Sequence, residues 1–252
     1  MIFQDTRQSI CLVGFTEPND VRKIRPFTSK HPDRQILIAA IASFGKGLHT
    51  TPKNLPALFE RDPDIGPTDP SVQNILYFST DRQSDLLDQL CHVTQSAEGR
   101  LDAIFLNMPW PSVEDLETFR WEYENVQLFL KIGPEAYGLV KNSPRMLSRK
   151  LKRYQGIIEK VVLKPRERGR YEPFDTYQIS DIINTLFNDN WYEIAFAGGL
   201  DSADLKFIGE LLDDYPGLGV FAYRKLLNED RLFRIEKAIE LLENLLGIYA
   251  GK

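Results

Sequence analysis

Cysteine is nearly absent from this chain. The two present, Cys11 and Cys91, stand in apolar stretches and form no CxxC pair. That spacing gives no disulfide framework, so a reducing, cytoplasmic compartment is the expectation. Histidine is as scarce: His31, His49 and His92 lie far apart, with no HxH or HExxH spacing. No metal site is expected on that ground. The Gly45–Gly47 stretch, GKG, lacks the rest of a phosphate-loop pattern, and no cofactor motif is found. No apolar run reaches the roughly 18–20 residues of a membrane span, and the first residues, MIFQDTRQSICLVGF, lack a basic n-region and a long apolar h-region. Neither a membrane segment nor a signal peptide is expected. Positive charge is not in excess either. With 31 Lys and Arg against 36 Asp and Glu the net charge is −5, and the isoelectric point is near 5.4. A general nucleic-acid or anionic-membrane binder is therefore not the expected class. Low-complexity tracts and internal linkers are missing too, so residues 1–252 read as one domain.

What is present is ample apolar material: 42% hydrophobic against 27% charged residues in 252 positions. That suffices for a sizeable core and argues against disorder. Eight segments read as strands, most of them short, nearly continuous apolar runs: Ser9–Gly14, Ile36–Ser43, Asn74–Ser79, Asp102–Asn107, Val126–Ile132, Glu159–Lys164, Tyr192–Ala197 and Leu218–Ala222. Continuous rather than alternating runs suit strands covered on both faces, as parallel strands are. Helical patterns lie between them, at Asp81–Ala97, Ser112–Glu122, Pro134–Tyr154, Phe174–Phe187, Asp201–Leu212 and Asp230–Leu246. Ser112 with Asp115 three residues on reads as a helix cap. Pro26 and Pro32 limit the first helix to a short one, and four prolines between Leu55 and Pro70 leave one helical turn and a long loop there. Strands alternating with helices imply right-handed crossovers and a parallel sheet. Eight such units in a chain this long favour closure into a (β/α)8 TIM barrel of eight parallel strands, which usually takes about 250 residues. A doubly wound open sheet is the competitor.

The stretch Trp191–Leu205, WYEIAFAGGLDSADL, joins a strand, a Gly198-Gly199 turn and a polar helix start at Asp201-Ser202. Free backbone N–H groups at such a junction suit a phosphate or carboxylate. Here a family resemblance emerges. Ala197-Gly198-Gly199-Leu200-Asp201 is similar to the A-G-G-L-N of phosphoribosylanthranilate isomerase. Gly14-Phe15-Thr16-Glu17-Pro18-Asn19-Asp20-Val21 resembles that family's G-L-T-x-P-x-D-A/V. Leu101-Asp102-Ala103-Ile104-Phe105-Leu106-Asn107 looks like its L-D-x-V-Q-L-H, and Phe174-Asp175 its F-D. The order holds over nearly the whole chain. The resemblance implies a (β/α)8 barrel and an anion site. It does not carry over the family's reaction, because the base position, a cysteine in the family, reads Val13, and the acid position, an aspartate, reads Lys164. Cys11 shares a face with Val13 but lies about 6.5 Å further down the strand. The family's G-G-T-G phosphate loop becomes Arg168-Gly169-Arg170-Tyr171, and its S-S-G turn after the last strand becomes Phe221-Ala222-Tyr223.

Active sites of such barrels lie at the C-terminal ends of the strands. Those ends carry Asn107, Lys131, Lys164, Arg166, Arg168, Arg170, Arg224 and Lys225, a basic mouth on an acidic protein. The functional reading is an anionic small molecule held by Gly198, Gly199, Gly169, Arg168, Arg170 and Asn107. The competing one is solvated loop charges paired with Glu167 and Glu172. Lys164 is the pointed candidate for catalysis. A lysine ending a barrel strand beside a second cation, here Lys131, has the setting of an imine-forming amine; the alternative is a lysine that leans to solvent or holds an anion. His49 follows the second strand and is within reach of the mouth. The basic run Arg145–Arg153 reads as the solvated face of a helix, and Trp110 and Trp121 as helix packing or a patch for a homodimer. Three functions are in contention: an isomerase-like or lyase barrel binding an anionic substrate with altered chemistry, a barrel that binds without catalysis, and phosphoribosylanthranilate isomerase itself.

Overall fold

The computed structural model describes residues 8–31, 33–45, 48–50, 55–60, 72–164, 176–198, 200, 205–230 and 232–250. Nine strands lie among them: β1 (Ser9–Phe15), β2 (Gln35–Gly45), β3 (Leu48–Thr50), β4 (Val72–Thr80), β5 (Ala103–Leu106), β6 (Gln127–Ile132), β7 (Lys160–Leu163), β8 (Ile194–Gly198) and β9 (Gly219–Ala222). Eight are parallel neighbours in the order β1, β9, β8, β7, β6, β5, β4, β2, and a β1–β2 pairing closes the ring. The expected barrel is present, and each of its strands overlaps one of the eight apolar runs. β3 is an addition. It runs antiparallel to β2, with His49 opposite Phe44, and is too short and polar to be read from the sequence.

Each barrel strand alternates its side chains between two cores. On β1, Ile10 and Leu12 face the helices, whereas Cys11 and Val13 face the barrel axis. The same parity puts Leu37 and Ala39, Ile75 and Tyr77, Ala103 and Phe105, Phe129, Val162, Ala195 and Ala197, and Phe221 inside. Both cores are built of buried apolar side chains, which is why the strands read as apolar runs. Two glycines are sterically required. Gly14, at φ +127°, lies where the β1–β2 register slips between Val13 and Phe15, and a Cβ there would meet the Phe233 ring at 2.9 Å. At Gly219 a Cβ would lie 2.4 Å from the Ser9 hydroxyl.

The described helices are α1 (Pro18–Lys30), α2 (Leu55–Leu58), α3 (Leu86–Ser96), α4 (Val113–Glu122), α5 (Pro134–Gly138), α6 (Pro144–Leu151), α7 (Thr176–Asn188), α8 (Leu205–Asp214) and α9 (Ile235–Ala250). Two differ from expectation. α1 is not short: it runs 13 residues with Pro26 inside it. The hydrogen bond that proline forfeits is outweighed by burial of Val21 and Ile24 against the barrel. The single helix expected over Pro134–Tyr154 is instead α5, a turn with Lys141 and Asn142 in left-handed backbone, and α6. Pro144 cannot continue a helix but fits a first turn, and the Ser143 hydroxyl caps it by accepting from the Met146 N–H at 3.3 Å. Ser112 caps α4 in the expected way, accepting from the Asp115 N–H at 3.2 Å. Among the described residues no helix is long and apolar enough to cross a membrane.

Candidate functional site

The C-terminal ends of β1, β4, β5, β6, β7, β8 and β9 converge on one small pocket. It is lined by Val13, Tyr77, Phe105, Lys131, Lys164, Ala197, Gly198, Phe221, Tyr223 and Arg224, and encloses about 30 Å³. Its floor is aromatic. Tyr77 meets Phe105 edge-on at 5.1 Å and Tyr223 at 5.2 Å, while Phe221 meets Phe105 at 5.2 Å and Phe129 at 6.3 Å. Sequence reading anticipated Phe221 and Tyr223 here but missed Tyr77 and Phe105. The inward parity set by Ile75 and Ala103 is the signal that would have found them.

Three cations stand over this floor. Lys131 occupies an inward position on β6. Lys164 follows β7 and extends its ladder, donating its backbone N–H to the Ile132 carbonyl at 2.9 Å. Arg224 begins the short 3₁₀ turn after β9. Lys131 donates from Nζ to Asn107 Oδ1, the residue that ends the β5 segment. Its pKa is pulled down to about 8, first by burial and then by Lys164 and Arg224. The sequence assigned the activated amine to Lys164 and the role of second cation to Lys131. The structure brings both lysines to the pocket, and it is on Lys131 that burial and neighbouring charge act to lower the pKa. Burial of the Tyr77 phenol, with Tyr223 beside it, raises its pKa, so it stays a protonated hydrogen-bond donor at neutral pH.

Val13 and Lys164, the two positions at which the resemblance looks for a base and an acid, face the same pocket. Cys11 lies on the same inner face, fully buried, with burial pushing its thiol far above the usual range. Gly198 ends β8 and lines the pocket. Gly199, Gly169, Arg168, Arg170, Arg166 and the Asp201-Ser202 helix start lie outside the described residues. His92 is on α3, its ring 6.5 Å from that of Phe44. Along Arg145–Arg153, Lys150 sits over the Trp110 ring at 4.4 Å and Lys152 pairs with Asp189 at 3.1 Å. Trp110 donates its indole N–H to the Ala136 carbonyl at 2.9 Å, whereas Trp121 is 87% exposed.

A larger cleft of about 590 Å³ opens beside the pocket, between the turn after β9 and α9, lined by Leu200, Lys225, Asn228, Lys237 and Glu240 among others. Arg224 lines both spaces. Leu200 after β8 and the segment after β9 therefore bound a recess next to the mouth, the region in which barrels of this kind often bind phosphate. Among the described residues no group of three or more His, Cys, Asp or Glu is placed to hold a metal ion.

No family model matches this chain, and no curated protein sequence does. Solved structures share its fold. The catalytic domain of a family GH18 chitinase from the fern Peteris ryukyuensis aligns with a TM-score of 0.54 over 93% of this chain and 99% of its own, at 11% identity. An endo-β-1,6-glucanase aligns with a TM-score of 0.51 over 86% of this chain and 66% of its own, at 8% identity. At such identities the likeness is one of fold, a barrel that hosts many chemistries.

Proposed function

We propose that the mouth of this barrel binds an anionic small molecule through Lys131, Lys164 and Arg224, and that its chemistry differs from that of the resembled isomerase. One observation carries the reading: three cations from three strands converge on one pocket whose described lining includes no Asp or Glu. Like charges gathered in a half-buried space disfavour one another, as the lowered pKa of Lys131 reflects. A phosphate or carboxylate relieves that repulsion and accepts charge-assisted hydrogen bonds. The aromatic floor suits the flat or apolar part of such a ligand.

The other chemistries fit less well. The isomerisation needs a group to take a proton from carbon, and Val13 offers none. Hydrolysis of a glycosidic bond, the activity named for the fold neighbours, needs a carboxyl group at the bond as acid, and the described pocket lining has no Asp or Glu. A barrel that binds without turnover is the second reading. It is favoured by how fully Tyr77, Phe105, Phe221 and Tyr223 fill the mouth, leaving about 30 Å³.

Thermal unfolding with inorganic phosphate against chloride at matched ionic strength tests the anion site. Binding to the folded state alone stabilises by RT ln(1 + [L]/Kd). Phosphate should raise the Tm above the chloride control, and a Lys164→Met/Arg224→Gln double variant should lose most of that rise. Equal responses to phosphate and chloride would overturn the reading.

A further inference from the structure

We propose that Lys131 is an imine-forming nucleophile for a small carbonyl compound that bears a carboxylate or phosphate, with Lys164 and Arg224 holding the anionic group. The inference rests on the anion-binding reading above and adds to it the substrate class and the reacting atom. Three geometric features carry it. Lys131 projects inward from the last turn of a barrel strand, so its amine faces the pocket rather than solvent. Its Nζ is fixed by Asn107 Oδ1, which orients it. Two further cations line the same pocket, where they favour a neutral amine at Lys131 and attract an anionic carbonyl compound. Among the described residues, the groups facing Lys131 are Lys164 after β7, Arg224 and Tyr223 after β9, Tyr77 on β4 and Asn107 after β5; Glu135, at the start of α5, lines the adjoining recess. Burial and the cations together leave an appreciable fraction of this amine unprotonated at neutral pH.

The step balances without a further reactant. The Nζ lone pair forms a bond to the carbonyl carbon as the C=O π pair moves to oxygen; the nitrogen gives up one proton and the oxygen takes up one, giving a neutral carbinolamine. A proton from solvent then lets the hydroxyl leave as water while the freed nitrogen lone pair forms the C=N bond. The product is a protonated imine, its charge beside the Asn107 carbonyl oxygen and the ligand's own anion. One water is released, and nothing is oxidised or reduced.

Glyoxylate suits the test because it pairs a carbonyl with a carboxylate and is small. With cyanoborohydride present, hydride reduces the imine to a carboxymethyl-lysine that peptide mass mapping locates. At pH 7 Lys131 should be labelled at least about tenfold faster than the exposed Lys23 and Lys206. Inorganic phosphate should slow labelling at Lys131 and leave Lys23 unchanged. Lys131→Arg removes the nucleophile, so its adduct should disappear while labelling of Lys23 persists. Labelling of Lys131 no faster than of Lys23, or first labelling at Lys164, overturns the inference. A Tm rise with phosphate in that event leaves the anion site standing. Fast labelling of Lys131 that phosphate does not slow overturns instead the role given to Lys164 and Arg224.

Discussion

The two ends of this barrel each bury a lysine, and they treat it in opposite ways. At the N-terminal end Lys160 points inward from β7. Its Nζ donates to Ser9 Oγ at 2.9 Å, pairs with Glu193 Oε2 at 3.3 Å and lies 5.4 Å from the centre of the Phe129 ring. Next to it Gln73 and Gln127 hydrogen-bond across the same end at 3.4 Å. Burial pulls the Lys160 pKa down and Glu193 pulls it back. At the C-terminal end Lys131 is also pulled down by burial, but both charged neighbours push the same way. Among the described residues a carboxylate offsets the charge of Lys160, whereas the charged groups that act on Lys131 are both cations. The difference matches the division of labour in such barrels, with stability at the N-terminal face and chemistry at the C-terminal one.

Truncating the lower lysine gives the largest effect on stability. Lys160→Ala removes a buried stem under Phe129 and strands Ser9 and Glu193, which should cost about 2–3 kcal/mol. The estimate is held below the range for a fully buried pair because the Glu193 side chain is 41% exposed. The shift of the urea midpoint measures it. A loss under about 0.5 kcal/mol, the range of ordinary surface substitutions, would mean that the lower end does not depend on the pair, and the contrast between the two ends would fail.

The upper lysine should behave in reverse. Its folded pKa, about 8, lies below the unfolded value near 10.4. Below pH 8 the folded state therefore carries a penalty for holding the charge, and that penalty fades as pH rises from about 8 toward 10.4. Lys131→Met should stabilise the protein at pH 7 by about 1 kcal/mol. The gain should shrink near pH 10, where folded Lys131 is largely neutral and the unfolded lysine is beginning to lose its proton. Urea unfolding of the two proteins at both pH values checks this, and destabilisation by Lys131→Met at pH 7 would contradict it.

The barrel was legible because strands buried on both faces leave apolar runs, and most of the eight did. β3 was not, since Leu48–Thr50 owes its strand form to pairing with β2 rather than to its own residues. The break between α5 and α6 was written at Pro144 but lost under a strong helical period. At the site, the inward parity of β6 and β7 was enough to bring Lys131 and Lys164 together, and the same parity places Lys160 inside two turns of the pleat below Lys164, a reading the sequence allowed and that went unmade. The burial of Lys131 could not be read that way. Burial, the chief cause of its lowered pKa, and the arrival of Arg224 from β9 are both set by closure of the ring.

The smallest expected effect tests the comparison most finely. If neighbouring charge distinguishes Lys131 from Lys160, removing one neighbour should raise the Lys131 pKa, because fewer positive charges then oppose its protonation. Burial is the larger cause, so Lys164→Met or Arg224→Gln should each raise it by only a few tenths of a unit, as expected for charges partly screened by solvent. The pH at which glyoxylate labelling of Lys131 is half-maximal reports that shift, which appears as slower labelling at pH 7. Lys225→Met is the matched control, since Lys225 lines the neighbouring cleft and not the pocket. If the midpoint stays fixed in both pocket variants, burial alone sets the Lys131 pKa, and the two ends of the barrel differ in whether a carboxylate is near and not in whether cations are.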